Sequence, residues 1–214
     1  MDKSQIGVVI PAYNESETIK VIINAVMNYG IPIIVNDGST DETETIAMKC
    51  CENVVSHSKN LGYDAALNSG FKKAFELGVK TVITLDADGQ HNPELIHTFI
   101  EKIESGADVV VGIRNAHQRF AERVFALYTK LRFGIEDPLC GLKAYKIQVY
   151  NALGYFDSYK SIGTELAIFA LSKKYSVKQV KFNTLKRTGQ SRFGHSIRGN
   201  YKIIRALVVG IYHY

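Results

Sequence analysis

The first half of the chain alternates short, almost continuous apolar runs with amphipathic helical stretches, and few folds accept that pattern. The apolar runs are residues 6–10, 31–35, 54–57, 81–85 and 107–112. They are rich in Val and Ile and too short for buried helices, so each reads as a strand. Ile19, Ile22, Ile23, Val26 and Met27 form one helical stripe that stops near Gly30. A second helix follows the turn at residues 36–41, with Thr40 or Asp41 as its N-cap. A third carries Ala65 through Phe75, and a fourth runs over 93–105 with Asn92 as cap and Pro93 at its first position. Strands apolar on both faces, alternating with helices, imply an α/β fold: a mostly parallel central sheet with helices on both faces.

The polar residues are concentrated after the strands, at Tyr13-Asn14-Glu15, at 36–41 and at 86–90. In open α/β sheets ligands bind beyond the carboxyl ends of the strands, so these acidic loops face one crevice. Asp86, Asp88 and Gln90 are spaced two apart. If the strand geometry continues past its end, all three project to one side. Two carboxylates and an amide oxygen suit a hard divalent ion, Mg²⁺ or Mn²⁺. The plainer reading is that the aspartates punctuate a turn. Neither a Gly-x-Gly-x-x-Gly fingerprint after the first strand nor a phosphate-binding Gly-x-x-x-x-Gly-Lys-Ser/Thr loop is present. Carboxylates repel bare phosphates, and they make sense where a cation bridges them to a diphosphate.

The 214 residues suffice for one domain with a sizeable core. The formal charge is +5, and the basic excess lies late, between Lys173 and Arg205. No zinc-finger, ribonucleoprotein or helix-turn-helix pattern accompanies it, so no nucleic-acid role is expected. Cys50, Cys51 and Cys140 show no metal spacing and read as reduced thiols of a cytoplasmic protein. The start is too short for a signal peptide, and no apolar run reaches the roughly 18–20 residues of a membrane-spanning helix.

The second half changes character. Arg114, Arg119, Arg123, Lys130 and Arg132 punctuate a helical stretch whose apolar side reads as Phe120, Val124, Leu127, Tyr128 and Leu131. The charges are a solvated face or an anion site. Residues 136–146 form a loop and a short strand, and 159–175 a helix with Glu165 near its start, where an acid complements the helix dipole. Residues 177–182 alternate as a half-exposed strand, and 186–194 are glycine-rich and basic, either a surface loop or one that closes on a diphosphate. From Ile197 a basic-then-apolar helix with terminal tyrosines suits a membrane interface, the sheet or a partner subunit.

Val9-Ile10-Pro11-Ala12-Tyr13-Asn14-Glu15, Asn36-Asp37-Gly38-Ser39-Thr40-Asp41 and Asp86-Ala87-Asp88-Gly89-Gln90-His91, in that order, resemble family 2 glycosyltransferases with the GT-A fold. Gly112-Ile113-Arg114, the stretch from Asp137 to Tyr145 and Arg187-Thr188-Gly189-Gln190-Ser191-Arg192 are similar to the dolichyl- and polyprenyl-phosphate sugar synthases within it. The resemblance covers nearly the whole chain as one domain. It implies a nucleotide-sugar half at 1–113, an acceptor half at 114–195 and a C-terminal helix at 196–214 that could meet a membrane.

That resemblance implies roles as well. Pro11, Tyr13, Glu15 and Asp37 would hold the nucleoside, and Asp86, Asp88 and Gln90 the metal on the diphosphate. Arg114 and Arg123 are candidates for an acceptor phosphate, and Arg187, Ser191 and Arg192 would close over the donor. Glu165 matches the acceptor-side acid and would be the base if the acceptor is a hydroxyl. The implied activity is inverting, metal-dependent transfer from a UDP- or GDP-sugar to polyprenyl phosphate. The alternative acceptor is a glycan hydroxyl in cell-surface polysaccharide synthesis. The implied setting is the cytoplasm, with peripheral contact at the membrane's cytoplasmic face, and a homo-oligomer is compatible. Two rivals are a nucleotidyltransferase, opposed by Pro11–Glu15 in place of a glycine-rich basic loop, and a non-catalytic subunit, opposed by the intact Asp86/Asp88/Gln90 set. Tyr63-Asp64 replaces a Lys-Gly pair of many relatives, and Leu142-Lys143 replaces their Phe-Arg.

Overall fold

The computed structural model describes residues 1–115, 119–185 and 196–213. The apolar runs of the first half are strands β1 (Ile6–Ala12), β2 (Ile31–Asn36), β3 (Val54–Ser56), β4 (Thr81–Thr84) and β5 (Val109–Arg114). Between them lie helices α1 (Ile19–Val26), α2 (Thr43–Cys50), α3 (Tyr63–Glu76) and α4 (Leu95–Glu104). The chain continues through α5 (Phe120–Phe133), β6 (Lys143–Lys146), α6 (Ile147–Leu153), α7 (Glu165–Ser172), β7 (Val177–Phe182) and α8 (Ser196–His213).

All the strands join one sheet in the order β3-β2-β1-β4-β6-β5-β7. Pairing is parallel except at β6, which runs antiparallel between β4 and β5. That reversal matters for the crevice. Lys143, the first residue of β6, pairs with Thr84, the last of β4. The loop entering β6 is thereby delivered against the residues that follow β4.

The strands alternate their side chains between two apolar layers, as a sheet covered on both faces requires. Val8 and Ile10 pack with α1 and α4 residues on one face, while Val9 packs with Leu67 and Phe71 of α3 on the other. Gly70 lets α3 approach β1 closely, because a Cβ there would lie 2.2 Å from a Val9 methyl.

Several boundaries differ from the sequence expectation. Neither Thr40 nor Asp41 is the N-cap of α2, which is Glu42; Asp41 closes the turn before it, its Oδ1 accepting from the Thr43 amide at 3.0 Å and from its hydroxyl at 2.5 Å. Asn92 turns the chain before α4, accepting from the Glu94 amide at 3.1 Å, so the helix starts at Leu95 rather than Pro93. The expected helix at 159–175 shortens to α7, because the residues before Glu165 form a loop. The apolar side expected of α5 is also revised. Its buried face is Ala121, Glu122, Phe125, Ala126 and Thr129, whereas Phe120, Leu127 and Leu131 are exposed. Helix α8 docks on α5, not on the sheet, through Ile203, Ala206 and Leu207 against Ala121 and Phe125. No helix among the described residues is long and apolar enough to cross a membrane.

Candidate active site

A cavity of about 1230 Å³ opens beyond the carboxyl ends of β1, β2 and β4. Pro11, Tyr13, Glu15, Asp37, Asp86, Asp88, Gln90 and Arg114 all line it. The two loops on the β1–β2 side hold each other. The Asn14 amide donates to the Ser39 hydroxyl at 3.0 Å, the Thr40 amide to Asn14 Oδ1 at 2.8 Å and the Glu15 amide to the Thr43 hydroxyl at 2.8 Å. Asp37 is buried and accepts at 2.8 Å from both the Leu61 and the Gly62 amides, with His57 Nδ1 at 2.7 Å. Its carboxylate therefore fastens the start of α3 to the end of β2 while facing the cavity.

The Asp86–Gln90 stretch is not a continued strand. The strand ends at Thr84, the chain turns at Ala87-Asp88, and Gly89 takes a left-handed φ of 75°. Asp88 Oδ1 accepts from the Gln90 amide at 3.0 Å and closes the turn. A turn, not strand alternation, thus brings the three oxygen donors to one cavity. Thr18 anchors this turn by donating to the Ala87 carbonyl at 2.6 Å, and the Leu185 amide donates to the Gln90 carbonyl at 2.9 Å.

Asp86 is seated by residues far away in sequence. The Tyr63 hydroxyl donates to its Oδ1 at 3.2 Å. Burial, then the Asp86 charge, pushes the Tyr63 phenol well above its usual range and keeps it a donor. A Cβ on Gly141 would stand 1.9 Å from Asp86 Oδ2, so only glycine leaves room for this carboxylate. Thr84 pins that glycine by donating to its carbonyl at 2.6 Å. His91 Nδ1 is buried without a hydrogen-bond partner, 3.7 Å from Asp86 Oδ2. Among the described residues no three His, Cys, Asp or Glu side chains gather as a metal cage. Two carboxylates and an amide on one cavity wall fit a hard divalent ion whose remaining ligands are phosphate oxygens and water.

A loop, residues 157–164, also lines the cavity and is fixed by buried charges. Lys160 and Ile162 both have φ of 60°, a conformation that a β-branched residue adopts only under constraint. Asp157 imposes it by accepting from the amides of Lys160 at 2.6 Å and Ser161 at 2.8 Å, and from the Ser161 hydroxyl. Gly163 is held from both sides: its amide donates to Asp64 at 2.7 Å and its carbonyl accepts from Lys143 Nζ at 2.8 Å. Burial, then Asp157, raises the Asp64 carboxyl to about 6, and burial lowers the Lys143 ammonium.

Glu165 belongs to this scaffold. It is 0% exposed, and its carboxylate accepts from the Ser158 amide at 2.5 Å and from the Ser158 hydroxyl at 2.9 Å. It does not line the cavity, whereas Ser158 does. Arg114 is bound in both directions by Asp137, Nε to Oδ2 at 2.8 Å and a terminal nitrogen to Oδ1 at 2.9 Å, with Glu122 at 3.3 Å. Burial works against its charge, but Asp137 outweighs burial and raises the guanidinium above its ordinary value. Arg123 lies apart, on a second hollow of about 650 Å³ with Lys130 and Lys181. Arg187, Ser191 and Arg192 lie outside the described residues.

The glycosyl transferase family 2 model matches residues 7–177. This chain belongs to glycosyl transferase family 2. Among its relatives, the UDP-N-acetylglucosamine–dolichyl-phosphate N-acetylglucosaminyltransferase of Methanococcus voltae is 28% identical over 239 residues, covering 95% of each chain. The polyprenol monophosphomannose synthase of Mycolicibacterium smegmatis is 29% identical over 168 residues, 68% of this chain and 63% of that one. A crystal structure of glucosyl-3-phosphoglycerate synthase from Mycobacterium tuberculosis, in complex with Mn²⁺ and uridine-diphosphate-glucose, superposes with a TM-score of 0.69 at 21% identity. It covers 88% of this chain and 72% of that one, and the shared architecture is the GT-A fold.

For a family 2 glycosyltransferase, sequence reasoning missed Tyr63, Asp64, His91, Gly141, Asp157 and Ser158 as parts of the site. One signal was available. Tyr63-Asp64 and Lys143 were noted as departures from the family pattern, and they meet at the cavity wall around Gly163. Asp157 and Ser158 carried no pattern at all.

Proposed function

We propose that this enzyme transfers a sugar from a nucleoside-diphosphate sugar to a polyprenyl or dolichyl phosphate, with inversion at the anomeric carbon. The observation that carries the reading is the single cavity with two unlike walls. One wall holds the Pro11–Glu15 loop, Asp37 and the Asp86/Asp88/Gln90 turn; the other holds Arg114, Arg119, Lys202 and Arg205. The named activities of the M. voltae and M. smegmatis relatives supply the acceptor class.

In this reading Pro11, Tyr13, Glu15 and Asp37 hold the nucleoside. Asp86, Asp88 and Gln90 would hold Mg²⁺ or Mn²⁺, which when bound would offset charge on the departing diphosphate. Tyr63 keeps Asp86 oriented, and Gly141 keeps the space for it. Arg114, whose guanidinium is engaged by Asp137 and Glu122, orders the cavity lining rather than offering a free charge, and Arg123, which does not line the cavity, has no part in this reading. The acceptor phosphate is an anion at neutral pH and needs no base. The burial of Glu165 behind Ser158 supports a positioning role for Glu165 in this reading.

Asp64 favours a second reading. A cavity-lining carboxyl raised to about 6 can take a proton from a sugar hydroxyl near neutral pH. One assay separates the two. Purified enzyme with Mn²⁺ and a panel of UDP- and GDP-sugars is followed for released nucleoside diphosphate, with and without polyprenyl phosphate. Lipid-dependent release that survives Asp64→Asn supports the lipid-phosphate acceptor. Release that needs a glycan hydroxyl and disappears in Asp64→Asn moves the acceptor to the hydroxyl. Absence of metal-dependent nucleotide binding defeats both.

A further inference from the structure

His57 reaches the Asp37 carboxylate without lining the cavity itself. Strands β2 and β3 end side by side, with Asn36 opposite Ser56, and the His57 amide extends the ladder by donating to the Asn36 carbonyl at 2.9 Å. The next two side chains therefore meet, His57 Nδ1 at 2.7 Å from Asp37 Oδ1. They are 9% and 5% exposed. Nδ1 carries the hydrogen of this bond, because a carboxylate only accepts. The other ring nitrogen, Nε2, lies 2.8 Å from the Ser69 hydroxyl on α3. In the neutral ring that hydroxyl donates to Nε2, so Ser69 fixes both the tautomer and the orientation of the imidazole. Neither His57 nor Ser69 has a part in the reaction proposed above.

The consequence lies in what Asp37 has left to offer. An ionised carboxylate has about four acceptor positions, two on each oxygen. Asp37 Oδ1 accepts from His57 and from the Leu61 amide, and Oδ2 accepts from the Gly62 amide. Both positions of Oδ1 are filled, and one remains on Oδ2. Asp37 lines the cavity, so a ligand there meets a single acceptor. Uracil presents one N–H, between two carbonyls. Guanine presents two adjacent N–H groups, which pair with a carboxylate through both of its oxygens. Against Asp37 one of those two would face an oxygen already filled. A binding site rejects a ligand whose buried donor it leaves unpaired, here by about tenfold or more.

We propose that His57, locked by Ser69, is a positioning residue that leaves Asp37 one acceptor for the base, and that the donor is therefore a uridine-diphosphate sugar rather than a guanosine-diphosphate sugar. This rests on the proposed function, in which Asp37 holds the nucleoside, and narrows that reading to one nucleotide.

The test is calorimetric titration of the full chain with UDP and with GDP in the presence of Mn²⁺. Diphosphate and metal are common to the two nucleotides, so the ratio of their affinities reports on the base. UDP is expected to bind about tenfold or more tightly than GDP. His57→Ala frees the Asp37 carboxylate to turn and present a second position. The preference should then fall to within about threefold of unity. His57→Asn places an amide N–H where Nδ1 stood and should restore most of the preference. Ser69→Ala, a change to a strong helix former inside α3, should lower it about two- to threefold, and it carries the test if His57→Ala does not fold. A purely structural loss would weaken both nucleotides alike and leave the ratio where it was. The proposal is overturned if the parent protein binds GDP as tightly as UDP, or if neither His57→Ala nor Ser69→Ala moves the ratio. Tight binding of GDP would leave the proposed function standing, whereas binding of neither nucleotide would overturn both.

Discussion

The two walls of the cavity are built by different physics. On the side proposed for the donor, the loops after β1 and β2 are tied mainly by hydrogen bonds between backbone amides and short polar side chains, Asn14 with Ser39 and Thr40 and Glu15 with Thr43, with one buried carboxylate, Asp37, on the Leu61 and Gly62 amides. On the side proposed for the acceptor more of the structure rests on buried charge: Arg114 between Asp137 and Glu122, Lys143 and Asp64 on Gly163, Asp157 under Ser161, Glu165 under Ser158. A loop held by many modest bonds loses one with small cost. A buried charge that loses its partner costs several kcal/mol, because it stays desolvated and uncompensated. The donor wall should therefore respond to mutation mainly in activity, and the acceptor wall mainly in stability.

The largest expected effect on the donor side is Asp88→Ala. It removes a proposed metal ligand and should lower turnover about 10³-fold, with a smaller stability loss of about 1 kcal/mol from the Gln90 amide it leaves unpaired. Metal-dependent nucleotide binding, read by calorimetry with and without EDTA, should weaken in parallel. Full turnover in this variant would break the comparison at its first step. On the acceptor side Asp137→Ala should do the reverse. It strands the Arg114 guanidinium, which Asp137 engages twice, and should cost about 3–5 kcal/mol in denaturant unfolding. A cost under about 1 kcal/mol would mean that water or Glu122 replaces Asp137 freely, and the two walls would no longer differ in kind.

Gly141→Ala sharpens the contrast because it sits between the walls. Its backbone belongs to the loop entering β6, but the added methyl would meet the Asp86 carboxylate. The chain has no positive φ there to strain. Displacing Asp86 should cost about 10- to 100-fold in turnover, with a smaller stability loss, since a 1 Å misplacement of a reacting group has that scale of consequence. A shift in metal affinity measured by titration would locate the damage at Asp86. Unchanged metal affinity would place it elsewhere.

The same division explains what was legible in the sequence. The strands of the first half are buried on both faces, so they read as continuous apolar runs, and the acidic loops follow them directly. Asp37, Asp86 and Asp88 could be found because each stands in a short polar motif directly after an apolar strand, although the partners of Asp37 and Asp86 lie 20 to 25 residues away. Tyr63, Asp64 and Gly141 could not: Tyr63 reaches Asp86 across 23 residues and Asp64 reaches Gly163 across 99, and no local pattern encodes such contacts. Asp157 and Ser158 bond within seven residues, but in an irregular loop with no periodicity to mark it. Helix α5 is instructive in a different way. Its periodicity groups Phe120, Val124, Leu127, Tyr128 and Leu131 on one side, but the structure splits them: Val124 and Tyr128 pack on the core, and Phe120, Leu127 and Leu131 face solvent, because periodicity does not say which way a stripe faces. The core takes Phe125 and the small residues Ala121 and Ala126 instead, and the large apolar side chains are left for the surface.

Asp64→Asn carries the smallest expected effect and tests the acceptor wall with the opposite sign. Burial and Asp157 raise this carboxyl from 3.8 to about 6. Between those values the folded protein keeps a proton that the unfolded chain has released. Stability from this group is therefore fully present below about pH 4, falls as pH rises toward 6, and stays reduced above it. The upper bound on the loss at neutral pH is about 3 kcal/mol. An asparagine retains an oxygen for the Gly163 amide and carries no charge, so the variant should be about 1–2 kcal/mol more stable than the parent at pH 7.5. Below about pH 4 the two should melt together. Thermal melts from pH 4 to 8 decide it. A variant less stable at pH 7.5 would mean that the Asp64 charge is favourable where it sits, through Lys143, and that this wall is a balanced ion network rather than one under electrostatic strain.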